Sequence, residues 1–267
     1  MALTRSIPLA LVASLAVASS AGGQAPPAPP PAPPAPANPC HGPGAAQLLC
    51  PDLVMSPPGN VYIQRTGGRV LVHATNAIDN HGRGPAELRG HRTGRATMQA
   101  VQVIHRKGGG KTIVRTGAHL GFQSVPGQGH YWKFRYAARF ELWKLDSHNR
   151  RVKLVRVGEK QYYCLRDLEH RSPGLRRSPG HRVYPGCNQD PGKRKVTLGT
   201  SVGWSDVYPS TYNEQYIDAT GLHGRFMFVH RADPQNGIWE TNEDNNASGT
   251  ILKLPSGRIL GTRGPFK

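Results

Sequence analysis

Acidic residues are scarce in this 267-residue chain: 16 Asp and Glu stand against 34 Lys and Arg, a formal net charge of +18 at pH 7. Such an imbalance excludes a polyanion-mimicking surface and favours attraction to anionic partners. Aromatic residues make up only 7%. Cysteines number four and none has CxxC spacing, which argues against a zinc finger or a thioredoxin-type redox pair. No two of the twelve histidines stand as HxH or HxxxH, and there is no HExxH metalloprotease motif or phosphate-cradling glycine loop. No segment holds a period near 3.6 residues over three turns, so long amphipathic helices are not expected.

The apolar run Ile7 to Val17 follows Arg5 and precedes the small residues Ser19 and Ala21, the layout of a secretory signal over residues 1–21. It is shorter than the roughly 20 residues a spanning helix needs. No other segment is apolar enough to cross a bilayer as a helix. Residues 22–38 are dominated by Pro and Ala, a composition that favours extended polyproline II and makes a spacer. The domain expected to fold is 39–267, with a division into two smaller domains near Gln123 as the alternative.

Abundant Gly (32) and Pro (24) punctuate short strand-like segments. Asn60 to Arg65 and Val70 to Thr75 read as a hairpin through Gly67-Gly68. Met98 to His105 and Thr112 to Thr116 straddle the turn Lys107 to Lys111. Phe134 to Leu145 reads as one partly alternating strand, followed after a polar turn by Val152 to Val157. The expected fold is all-β: an antiparallel β-sandwich with long loops and little helix. Export makes disulfides the expected state of the cysteines, and local pairing is preferred among the three connectivities: Cys40–Cys50 and Cys164–Cys187. The second pair would tie down Arg166 to Lys195, a basic excursion expected to lie exposed.

Several motifs occur in one order: Pro51-Asp52-Leu53-Val54, the Asn/Gly loop of Asn76 to Leu88, Lys160-Gln161-Tyr162-Tyr163-Cys164-Leu165-Arg166-Asp167, Gly203-Trp204-Ser205-Asp206-Val207-Tyr208 closing on Gln215-Tyr216-Ile217-Asp218, and the segment Glu240 to Asn246. Together they resemble the lysyl oxidase family, secreted copper amine oxidases. The resemblance implies copper and a lysine tyrosylquinone built from Lys160 and Tyr208. It also implies oxidation of primary amines, protein lysine side chains among them, to aldehydes with release of peroxide and ammonia. The family holds copper with His-x-His-x-His, which on a strand aims three imidazoles at one metal. Here Gly129, Tyr131 and Lys133 occupy those positions. A one-residue shift gives Gln128, His130 and Trp132, with His130 the only histidine near. Ligands from elsewhere would have to come from His119, His130, His223 or His230. The alternative function is therefore an inactive exported module that binds anionic cell-wall polymers or acidic protein surfaces, with no specific nucleic acid as partner.

Overall fold

Tyr136 adopts a left-handed backbone conformation (φ 61°), and there the chain leaves one sheet for another. The computed structural model describes residues 37–212 and 214–267. The expected signal and most of the Pro/Ala spacer lie outside the described residues. Ala37–Lys267 forms one compact unit. The alternative boundary near Gln123 falls inside the strand Lys111–Val125.

The architecture is an all-β sandwich in which every strand pair is antiparallel. One sheet runs in the order Tyr162–Tyr163, Gly129–Arg135, Lys111–Val125, Thr97–Arg106, Ala86–Arg92, Lys195–Thr200, with Leu48–Leu49 also on Thr97–Arg106. A second runs Arg151–Val157, Ala138–Leu145, Gly224–Ala232, Ala247–Leu254, Arg258–Phe266. The third is built around Arg69–Asn80, which pairs with Trp204–Tyr208, Tyr216–Asp218, Leu53–Met55 and Gly59–Thr66; Glu169–His170 lies beyond Trp204–Tyr208. The single described helical element is the 3-10 turn Ala45–Gln47. No described helix is long and apolar enough to cross a membrane.

Both expected hairpins form. Gly67 (φ 53°) and Gly68 (φ 76°) supply the positive φ that a tight two-residue turn requires, and Thr66 pairs with Arg69 across it. The segment Phe134 to Leu145 departs from the single strand expected of it. Phe134 and Arg135 end the strand Gly129–Arg135, whereas Ala138–Leu145 is a strand of a different sheet, because Tyr136 breaks the extended path. The core draws on all three sheets. Trp132 and Phe134 come from the first, Phe140 and Phe228 from the second, Ile78 and Tyr208 from the third. Each large side chain so buried contributes roughly 2 to 3 kcal/mol of hydrophobic stabilisation before entropy is counted.

The disulfides are Cys40–Cys50 and Cys164–Cys187, the local pairing expected. The basic excursion between the latter two is mostly exposed, but its root is not. Asp167 is fully buried, and its carboxylate accepts hydrogen bonds from the amides of Val183, Tyr184 and Ser201 and from the Ser201 hydroxyl.

Candidate functional site

Lys160 and Tyr208, far apart in sequence, meet inside the sandwich. Tyr208 closes the strand Trp204–Tyr208, whose register against Arg69–Asn80 sets Tyr208 opposite Asn76 and Asp206 opposite Ile78. Its phenol is clamped by one residue: the Cys164 amide donates to Oη (2.6 Å), and Oη donates to the Cys164 carbonyl (3.2 Å). Tyr163 packs its ring edge-on against Tyr208, centroids 4.8 Å apart. The Lys160 Nζ lies 4.5 Å from the Tyr208 ring centroid and 5.0 Å from that of Tyr163.

Lys160 is only 5% exposed. Burial, reinforced by the neighbouring Lys133 ammonium, pushes its amine down to about 7, against the opposing pull of Glu214 and Asp206. Period-2 alternation puts Asp206 on the same face of its strand as Tyr208. Asp206 is fully buried, and neither carboxylate oxygen has a hydrogen bond among the described residues. Burial drives its acid well above the ordinary carboxylate range, although Arg166, Lys160 and Lys133 all favour the anion. His230 is also fully buried, stacked on Phe140 at 4.1 Å with Nδ1 3.4 Å from the Asn76 amide. Burial, then the charge of Lys160, push this imidazole down to about 3. Gln215 completes the polar interior, with both amide atoms buried.

Two cavities reach this centre. One of about 300 Å³ is lined by Lys133, Lys160, Gln123, Ser124 and Glu214 among others. A second of about 160 Å³ has Lys160 in its wall together with Tyr136, Arg139 and Pro234. The arrangement is an amine nucleophile near neutrality beside a phenol and a buried acid.

The positions that the resemblance assigns to copper do not fit the metal. Gly129 has no side-chain ligand and adopts φ 106°, a conformation that would strain a histidine. The Tyr131 hydroxyl donates to the Gln128 carbonyl (2.6 Å). Lys133 is buried, 8% exposed, and presents an ammonium, which repels a cation. Alternation puts His130 and Trp132 on the opposite face of the strand, where His130 stacks on Phe122 and the Trp132 Nε1 donates to the Asp190 carbonyl. His119 and His223 are exposed, whereas His230 is in the core. Among the described residues no three His, Cys, Asp or Glu side chains group to hold a metal ion.

Asp206 and Gln215 lie inside the motifs that carry the resemblance and His230 is among the candidate ligands, but the sequence assigns them no role beside Lys160, because their burial depends on strands distant in sequence. Period-2 spacing from Tyr208 was the one signal that could have picked out Asp206. Gly199-Thr200-Ser201-Val202-Gly203 also has the G-x-S-x-G spacing of a nucleophile elbow. It is not one: among the described residues no helix follows, and the Ser201 hydroxyl is spent on Asp167 (2.8 Å).

No protein-family model matches this chain, and no curated protein matches its sequence.

Proposed function

We propose that the chain is an exported lysyl-oxidase-like β-sandwich that has kept the lysine–tyrosine pair and lost the copper site. It then acts as a non-oxidising module that recognises anionic polymers of the cell envelope, or acidic protein surfaces, through its basic exterior. The observation that carries this reading is Lys133. A buried ammonium stands at the third ligand position of the resemblance, close enough to Lys160 and Asp206 to influence both. A fixed cation there supplies positive charge to the buried acid without redox chemistry.

Oxidation of protein lysines or other primary amines is the second reading, supported by the 4.5 Å approach of Lys160 Nζ to the Tyr208 ring. Forming a quinone from that ring requires a redox metal beside it, and the residues at hand do not suit copper. Peptide mapping of the mature protein after incubation with Cu(II) under oxygen separates the two. The module reading expects Lys160 and Tyr208 on separate, unmodified peptides, no peroxide from added amines, and salt-sensitive retention on anionic polymer. A covalent Lys160–Tyr208 peptide pair would overturn it in favour of the oxidase.

A further inference from the structure

On the exterior, three segments converge on a concavity of about 470 Å³ lined by His81, Arg83, Lys107, Leu175, Arg176 and Arg177, together with Gly82. No acidic side chain among the described residues lines it. Among the described residues no ion pair engages Arg83, Lys107, Arg176 or Arg177. Elsewhere some arginines are matched with carboxylates, as in Arg69–Asp218, Arg150–Asp146 and Arg171–Glu169, while others, Arg258 and Arg263 among them, are in no ion pair among the described residues. What sets this hollow apart is convergence: four cations from three segments of the chain line one concavity.

The walls are held by the fold. The amides of Arg83 and Gly84 both donate to the Cys50 carbonyl, and an Arg83 guanidinium nitrogen lies 3.4 Å from the Ala45 carbonyl. The Lys107 amide donates to the Gln47 carbonyl at 2.9 Å. Arg176 and Arg177 are anchored on their C-terminal side, with Ser178 hydrogen-bonded to His170 (2.7 Å) and the Pro179 carbonyl accepting from the Trp204 indole (2.9 Å). Beneath this loop Gly203 (φ 76°) admits the close approach; a Cβ there would lie 2.4 Å from the Ser172 carbonyl oxygen.

A second concavity of about 240 Å³ shares Arg83 and Arg177 with the first. Its character differs: Leu49, Pro85, Val183 and Val202 line it. Behind it, the Glu87 carboxylate is bound to Arg89 (2.8 Å), His105 (2.9 Å) and the Tyr184 hydroxyl (2.9 Å), so its charge is balanced within the protein. A ligand spanning both halves carries a compact polyanionic group joined to a short carbon skeleton. Guanidinium forks suit the oxygens of a phosphate, and lysine adds a point charge.

We propose that this paired concavity binds phosphate esters, the cationic half taking the phosphate and the apolar half the adjoining carbon skeleton. The proposal deepens the recognition reading above and rests on it. Its source of phosphate is either a small ester or a phosphodiester polymer, and the probes distinguish them.

The test is titration calorimetry of the mature protein with glycerol phosphate, poly(glycerol phosphate) and, as a carboxylate polymer of comparable charge, polygalacturonate. Arg176→Gln/Arg177→Gln lies on an exposed loop. Arg258→Gln/Arg263→Gln, on an exposed strand of the second sheet, removes the same charge elsewhere. We expect the loop pair to weaken poly(glycerol phosphate) binding about tenfold and the control pair less than about twofold. Competition by glycerol phosphate assigns the site to a single ester, and competition by the polymer alone assigns it to a chain of them. Equal losses in the two variants, or polygalacturonate binding as tightly, overturn the phosphate site while leaving general polyanion recognition standing. Failure of the unaltered protein to bind any of the polymers overturns both.

Discussion

Cys164 holds Tyr208 by its backbone, donating its amide to the phenol oxygen and accepting the phenol proton at its carbonyl. Both partners are buried, at 6% and 5% exposure, so water cannot replace either bond. Tyr208→Phe leaves a buried N–H and a buried C=O unmatched. The expected cost is about 1 to 3 kcal/mol, seen as a lower urea midpoint at unchanged slope. A loss below roughly 0.5 kcal/mol would mean that the clamp contributes little.

Lys160 gives stability a pH dependence of defined sign. Its folded-state amine is pushed down to about 7, whereas the unfolded chain titrates near 10.5. Between these values the unfolded state binds a proton that the folded state does not, so stability rises with pH across that window. Below pH 7 the folded protein bears the whole penalty of a buried ammonium. Lys160→Met should therefore stabilise the fold by a few kcal/mol at pH 6 and by much less near pH 10. An equal effect at both pH values would show that the amine does not titrate in this window.

His230 works in the opposite range. With its imidazole pushed down to about 3, the folded protein keeps the ring neutral while the unfolded chain takes up a proton near pH 6.5. That contribution is complete above pH 6.5 and fades as the pH falls towards 3. Imidazole NMR shifts at pH 5 should report a neutral His230 ring. A charged ring at pH 5 would contradict its burial between Phe140 and Phe228.

The lysine–tyrosine pair was legible only through the resemblance, since nothing in local spacing joins Lys160 to Tyr208. Hairpins were legible because Gly67-Gly68 and the glycines between Lys107 and Lys111 mark backbone that other residues avoid. The break at Tyr136 was not, because a tyrosine with positive φ leaves no trace in composition. Asp167 stands at the end of the motif that opens at Lys160 and at the root of a loop expected to lie exposed, and nothing local marks it as buried. Its burial follows from Ser201 and Tyr184, which contact it from either side. Buried charge is a property of tertiary packing, so the sequence could place Asp206 and Lys133 in motif positions without showing that both are buried.

Removing the Cys164–Cys187 bridge, which spans 23 residues, should cost about 3 kcal/mol by the chain-entropy argument. Cys164→Ala/Cys187→Ala should also make the segment Arg166 to Lys195 the first site of limited trypsin cleavage. Cleavage elsewhere at an earlier time would show that the loop is held by Asp167 and Trp204 without the bridge.

Cys164 thus belongs to two systems at once: its sulfur tethers the arginine-bearing loop, and its peptide group grips the interior phenol. A protein that matured where thiols stay reduced would lose the covalent tie on the outer basic loop and slacken the grip on the inner aromatic pair together. Oxidative maturation is in that sense a single checkpoint for both ends of the molecule, and a population with one end formed and the other loose should be rare.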